Sequence, residues 1–154
     1  MPDPVKGICY LLSEKEHNTL SKAASVIQQS KTWTQQWYVR SLLIGLKGEL
    51  AYSKYTNQPL CTTVFTDSGD GGIDFPDGAQ VKTTTFDGQD KHIRVSKILP
   101  NVDKYVLAYH NPSACLYKVM LYGEVSRKNF ELKSYKMLDT NYRILGIKDL
   151  DIYY

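Results

Sequence analysis

The hydrophobic pattern of this sequence changes period once, at Pro59, and that change limits the fold more than any other feature. Before it, apolar residues recur at helical spacing, first Leu20, Ala23, Ala24 and Ile27, then Val39, Leu42, Leu43, Leu46 and Leu50. The first helix opens on Ser13-Glu14-Lys15-Glu16, a capping box in which the serine hydroxyl serves the Glu16 amide and the Glu16 carboxylate reaches back. The second helix is predicted from near Thr32 or Thr34 to about Tyr55, closing at Asn57 with Pro59 beyond.

After Pro59 short β-rich segments alternate with turns. Thr62–Phe65 and Ile73–Phe75 read as strands on either side of a tight Asp70-Gly71-Gly72 turn. Pro76-Asp77-Gly78 is a second turn, leading into a strand from Ala79 to Thr85. Further strands are predicted over Asp103–His110, Leu116–Val125 and Tyr142–Ile147, and Ser126 is placed to cap a short helix through Leu132. The twelve tyrosines suit half-buried sheet positions. Helices, then a meander, then mixed elements imply an α/β or α+β arrangement around one sheet.

A length of 154 residues with 42% hydrophobic and 23% charged content suits one core and is too apolar for a disordered chain. No run reaches the roughly 18 apolar residues of a membrane span. The apolar run Ile8–Leu12 stops at Ser13 without a small-residue cleavage pattern, so a soluble, cytoplasmic protein is expected. Cys9, Cys61 and Cys115 are odd in number and far apart, and His17, His92 and His110 have no partner at metal-ligand spacing. Reduced, buried or half-buried thiols are therefore expected, with neither a disulfide framework nor a zinc site. Formal net charge is +3, all of it accounted for by residues 106–138, where five cations face two glutamates. That balance permits a polyanionic partner without requiring one.

Three residues break local rules. Glu49 lies along the apolar face of the second helix, three residues after Leu46, where an isolated charge is costly to bury. Asp74 sits between Ile73 and Phe75 in a short strand, and Lys82 sits inside Ala79–Thr85, where alternation puts Gln80, Lys82 and Thr84 on one face. The Pro-Asp-Gly turn folds Asp74 back towards Gln80 and Lys82, and Glu49 can approach from the helix. Two carboxylates and an amide oxygen are hard ligands suited to magnesium, and a lysine beside them can hold a phosphate. Singly, each has a plain reading: a helix glutamate near Lys47 or Lys54, a turn aspartate, a snorkelling strand lysine. Their joint order is what points to phosphodiester hydrolysis.

The stretches Gly45-Leu-Lys-Gly-Glu49-Leu-Ala51 and Ser68-Gly-Asp-Gly-Gly-Ile-Asp74-Phe-Pro-Asp-Gly-Ala-Gln80-Val-Lys82-Thr-Thr-Thr85 resemble the PD-(D/E)XK, or restriction endonuclease-like, nuclease superfamily. The branch resembled has Gln in the third motif position, as Mrr-type enzymes do. Weaker likeness continues through Tyr105–Tyr109 and Leu121–Ser126, so that about residues 40 to 130 are covered. The resemblance implies an α/β fold with a restriction endonuclease-like core, a mixed central β-sheet flanked by helices and an extra N-terminal helix. It implies a helical extension over 1–30, a catalytic core over 31–138 and a C-terminal strand and tail over 139–154. By the same resemblance, Glu49, Asp74, Gln80 and the Val81 carbonyl would hold Mg²⁺, with Mn²⁺ able to substitute, and Lys82 would be the catalytic lysine. Thr84, Lys97, Lys118, Arg127 and Lys128, with the region of Lys104, would contact DNA. A homodimer or higher homo-oligomer would be needed to cut both strands.

Competing readings are weaker. Asp67, Asp70, Asp74 and Asp77 are spaced by 3, 4 and 3, which does not suit an EF-hand. Gly69–Gly72 lacks the third glycine and following helix of a dinucleotide fingerprint. Trp33 and Trp37, one helical turn apart, suit a buried anchor or oligomer contact better than a base-stacking platform, and His92 could touch phosphate but reads more readily as simply exposed. A catalytically silent nucleic-acid-binding protein on the same fold, and an α/β interaction module with a coincidental motif, are the alternatives to an enzyme.

Overall fold

A computed structural model of the protein describes residues 6–29, 36–60, 74–88 and 90–154. The predicted strand Thr62–Phe65, the turn at 70–72, Cys61 and Trp33 lie outside the described residues.

Strand β1 (Ile8–Leu11) leads into helix α1 (Glu14–Gln29), and α2 (Gln36–Thr56) precedes β2 (Ala79–Thr84), β3 (His92–Val95), β4 (Lys104–Tyr109) and β5 (Lys118–Ser126). Helix α3 (Arg127–Lys133), β6 (Tyr135–Lys136), β7 (Arg143–Gly146), a 3₁₀ turn (Ile147–Asp149) and β8 (Asp151–Ile152) complete the described chain. The protein is a mixed α/β structure whose central mixed sheet is flanked by helices. Its order is β1-β5-β4-β2, with β8 on β5. β2 runs parallel to β4, and the other pairs are antiparallel. A smaller sheet, β3-β7-β6, is hydrogen-bonded separately from it.

The local signals act as the sequence implies. The Ser13 amide donates to Glu16 Oε1 and the Glu16 amide to Ser13 Oγ, each at 3.0 Å, closing the capping box. Asn57 carries a φ of 57°, the left-handed residue that stops α2. Ser126 Oγ accepts from the Asn129 amide at 3.1 Å and starts α3. The two helical stripes meet as a cluster of Leu20, Ala24, Ile27 and Leu46, with Val39, Leu42, Leu43 and Leu50 around it.

The central sheet has a core on each face. On the α2 side, Ala51, Tyr52 and Phe75 pack on Ala79, Val81, Val106, Ala108, Val119 and Leu121. On the other, Tyr105, Leu107 and Tyr122 pack on Ile93, Val95, Phe130 and Leu145 from the small sheet and α3. Each large apolar side chain so buried contributes about 1.5–3 kcal/mol.

Three expectations change. The described part of the N-terminal segment, residues 6–29, holds more than a helix, because β1 pairs with β5 within the central sheet. Asp74 and Phe75 form a bend rather than a strand. Cys9 and Cys115 are exposed free thiols, Cys9 on the outward face of β1 and Cys115 in the loop before β5.

Candidate active site

The residues around Asp74 are held by a dense local network. Gly78, at φ 82°, makes the turn that a side chain would strain, and its amide donates to the Phe75 carbonyl at 3.0 Å. The Asp77 carboxylate accepts from Tyr52 Oη at 2.6 Å, Gln58 Nε2 at 2.9 Å and the Ala79 amide at 3.0 Å, and faces Lys104 at 3.6 Å. Burial works to raise the Asp77 carboxyl, but these hydrogen bonds and the lysine charge outweigh it and hold the group below the ordinary carboxylate range.

With the turn fixed, Asp74 lies against the start of β2. Its amide donates to the Ala79 carbonyl at 2.9 Å, and its Oδ2 accepts from the Val81 amide at 2.7 Å. In an extended strand the N–H and C=O of one residue point to the same edge. The Val81 carbonyl therefore lies on the edge occupied by Asp74, turned away from β4.

Burial alternates along β2. Ala79 and Val81 are buried towards α2, while Gln80, Lys82 and Thr84 are half-buried on the opposite side. Lys82 and Thr84 enter a cleft of about 590 Å³, walled by Ser41 and Gly45 of α2, Arg94 of β3 and Met137 beyond β6. Glu49 is half-buried, one helical turn after Gly45. Gly48 is what brings this helix close, because a Cβ there would overlap the Thr83 hydroxyl and come within 3.2 Å of the Ala108 Cβ.

Asp74, Gln80, Val81 and Lys82 thus share one short segment, and the α2 turn preceding Glu49 faces Lys82 across the cleft. The oxygen donors of Glu49, Asp74, Gln80 and Val81 suit a hard cation completed by water and phosphate. Among the described residues no three His, Cys, Asp or Glu side chains gather into a metal-binding group, so such a site would rest on two carboxylates and neutral oxygens.

The expected DNA contacts do not form one patch. Thr84 lines the cleft and Lys97 is exposed beyond β3. Lys118 begins β5 whereas Arg127 and Lys128 follow its end, roughly 30 Å away along the strand. Arg127 also donates to the Pro100 carbonyl and faces Glu131 at 3.9 Å, and Lys104 is shared between Asp77 and Glu124.

Two features were missed in the sequence. His92 and Arg94 line the cleft opposite Lys82, with His92 half-buried rather than exposed. The alternation His-Ile-Arg-Val is a signal for that strand, but too short to mark it alone. Lys47 and His110, by contrast, are fully buried together, a pairing between residues far apart in sequence that no local pattern announces.

No known family profile matches this sequence, and no curated protein or solved structure shows significant similarity to it. Among the described residues, no helix is long and apolar enough to cross a membrane.

Proposed function

We propose that this protein is a magnesium-dependent DNA endonuclease with a restriction endonuclease-like core, its active site built from Glu49, Asp74, Gln80, Val81 and Lys82. The observation that carries the reading is the 2.7 Å hydrogen bond from the Val81 amide to Asp74. It holds one carboxylate on the strand edge beside Gln80 and Lys82, and Lys82 opens into the cleft of about 590 Å³.

Glu49, Asp74, Gln80 and the Val81 carbonyl would hold Mg²⁺, with Mn²⁺ able to take its place. When bound, the ion supplies positive charge against the phosphate and makes water a competent nucleophile at neutral pH. Lys82 orients that water or stabilises charge developing on the phosphate oxygens. Val81 keeps the Asp74 carboxylate from turning away. Gln80 is neutral, so the site depends more on the DNA phosphate itself to complete the ligand set. Each site cuts one strand, so double-strand cleavage calls for a homodimer or larger homo-oligomer.

The test is cleavage of supercoiled plasmid and of a four-way junction with Mg²⁺, Mn²⁺ or EDTA, comparing wild type with Lys82→Ala. Metal-dependent nicking or cutting that disappears in the variant is the expected result. No cleavage together with no stabilisation by metal would overturn the enzyme reading and leave a binding protein.

A further inference from the structure

The β6–β7 hairpin is built against the usual chemistry of turns. Its tip carries Leu138, 89% exposed, where polar residues normally sit. Tyr135 and Met137 precede it and Tyr142 follows, all exposed. Single exposed apolar residues need no explanation, but several on one short hairpin mark an interaction surface.

This hairpin is ordered by its own hydrogen bonds. The Met137 amide donates to the Tyr142 carbonyl at 2.8 Å, Thr140 Oγ1 donates to the Met137 carbonyl at 3.0 Å, and Asp139 takes a φ of 59° at the bend. Arg143 ties its base to the end of α3, donating to Ser134 Oγ at 2.9 Å and to the Ser134 carbonyl at 2.8 Å. Leu138 is thus displayed on a braced support.

Position and charge identify the occupant. Met137 lines the same cleft as Lys82, so Leu138 stands one residue beyond the cleft rim. Arg94, which lines the cleft from the same small sheet as the hairpin, lies 4.7 Å over the Tyr142 ring. The hairpin carries Lys136 and Arg143 against Asp139, with Lys133 at the end of α3 beside its base. An apolar tip on a basic support, continuous with a cleft that bears a phosphate-binding lysine, is suited to nucleic acid more than to another protein surface.

We infer that the β6–β7 hairpin is a wedge that inserts Leu138 between bases of DNA held in the cleft. The inference rests on the nuclease reading for what the cleft holds. Apolar side chains that enter a base step must unstack it, at a cost of a few kcal/mol. That cost is least where bases are already unpaired or weakly stacked. The protein should therefore favour forked, gapped or branched DNA over straight duplex.

The experiment uses the Lys82→Ala protein, to block hydrolysis, with a forked DNA and a matched duplex, each carrying 2-aminopurine at the branch position. Fluorescence anisotropy gives the affinity ratio, and 2-aminopurine emission reports unstacking. The expected result is about tenfold tighter binding of the fork with raised emission. Adding Leu138→Ser should bring both close to the duplex values, while Leu11→Ser, an exposed leucine on β1, should change neither. A fork preference and emission that survive Leu138→Ser would overturn the wedge and leave the hydrolysis reading untouched. Failure to bind either DNA would also overturn it, and a dimer dispersed by Leu138→Ser in sedimentation would then assign the hairpin to contact between copies. Leu138-dependent fork binding by a wild-type protein that cuts no DNA with any metal would support the wedge and sink the hydrolysis reading alone.

Discussion

The Lys47 ammonium lies 3.2 Å from Nε2 of His110, with both side chains fully buried. His110 Nδ1 is 2.8 Å from the Lys118 carbonyl, so it carries the hydrogen and leaves Nε2 to accept from Lys47. Lys47 also donates to the Leu116 carbonyl at 2.7 Å. A neutral imidazole and one lysine thereby clamp the end of β4 and the loop before β5 onto the helix that bears Glu49. Burial, reinforced by the Lys47 charge, holds His110 below the ordinary histidine value despite its bond to Lys118.

That arrangement makes stability sensitive to mild acid. The unfolded chain takes up a proton on His110 near pH 6.5, whereas the folded chain refuses it until lower pH. Stability should therefore fall as pH drops below about 6.5. His17, lowered first by burial and then by Lys47 against an opposing pull from Glu14, acts in the same direction. Urea midpoints measured from pH 5 to 8 should decline on the acid side in wild type. His110→Gln should flatten part of that decline and His17→Gln a separate part.

Gly48 sets the distance between α2 and β2. In Gly48→Ala the new methyl would overlap the Thr83 hydroxyl, which is buried with no hydrogen-bond partner among the described residues, and crowd Ala108. Overpacking of this kind costs about 1–3 kcal/mol. Thr83→Ala removes both the obstacle and an unsatisfied hydroxyl. The double variant should recover most of the loss in urea unfolding, whereas additive losses would show that the contact is not the cause.

How far the sequence reached depended on how local each signal is. The capping box, the Pro-Asp-Gly turn and the Ser126 cap each close within a few residues, so Ser13, Gly78 and Ser126 could be read directly. Strand β1 could not, because Ile8 and Tyr10 face inward only through pairing with β5, more than a hundred residues on. Strand β3 was not predicted, although Ile93 and Val95 alternate with His92 and Arg94, because four residues are too short a run to mark a strand by pattern alone. At the candidate site, spacing placed Gln80 and Lys82 on one face of β2. It could not show that Asp74 lies in a bend against Val81, or that Arg94 closes the cleft, since both depend on packing between elements.

Asp77 was legible only as a turn residue, yet it joins that turn to α2 and β4 through Tyr52, Gln58 and Lys104. Its lowered carboxyl pKa contributes stability above about pH 4 that is lost as pH falls through the folded value. Asp77→Ala should cost about 2 kcal/mol at neutral pH, the range for hydrogen bonds to a charged group. The same variant should show a shallower loss of stability below pH 4 in thermal unfolding scans. A variant as stable as wild type would mean that Tyr52 and Gln58 find other partners.

Asp74 has a structural task and a proposed chemical one, and two substitutions separate them. Asp74→Asn keeps an oxygen that can accept from the Val81 amide, but gives up the charge needed for a divalent cation. Asp74→Ala gives up both. With Mg²⁺ at a hundred times its dissociation constant, wild type should gain about 2.7 kcal/mol of stability over the EDTA-treated protein. Asp74→Asn should lose that gain and cut DNA at least ~100-fold more slowly, while its metal-free stability stays within about 1 kcal/mol of wild type. Asp74→Ala should be a further 1.5–3 kcal/mol or so less stable, having left the Val81 amide without its partner. Thermal unfolding with MgCl₂ and with EDTA, run beside the cleavage assay, reads all three. If Mg²⁺ stabilises Asp74→Asn as much as wild type, the ion binds elsewhere and the carboxylate serves the turn alone.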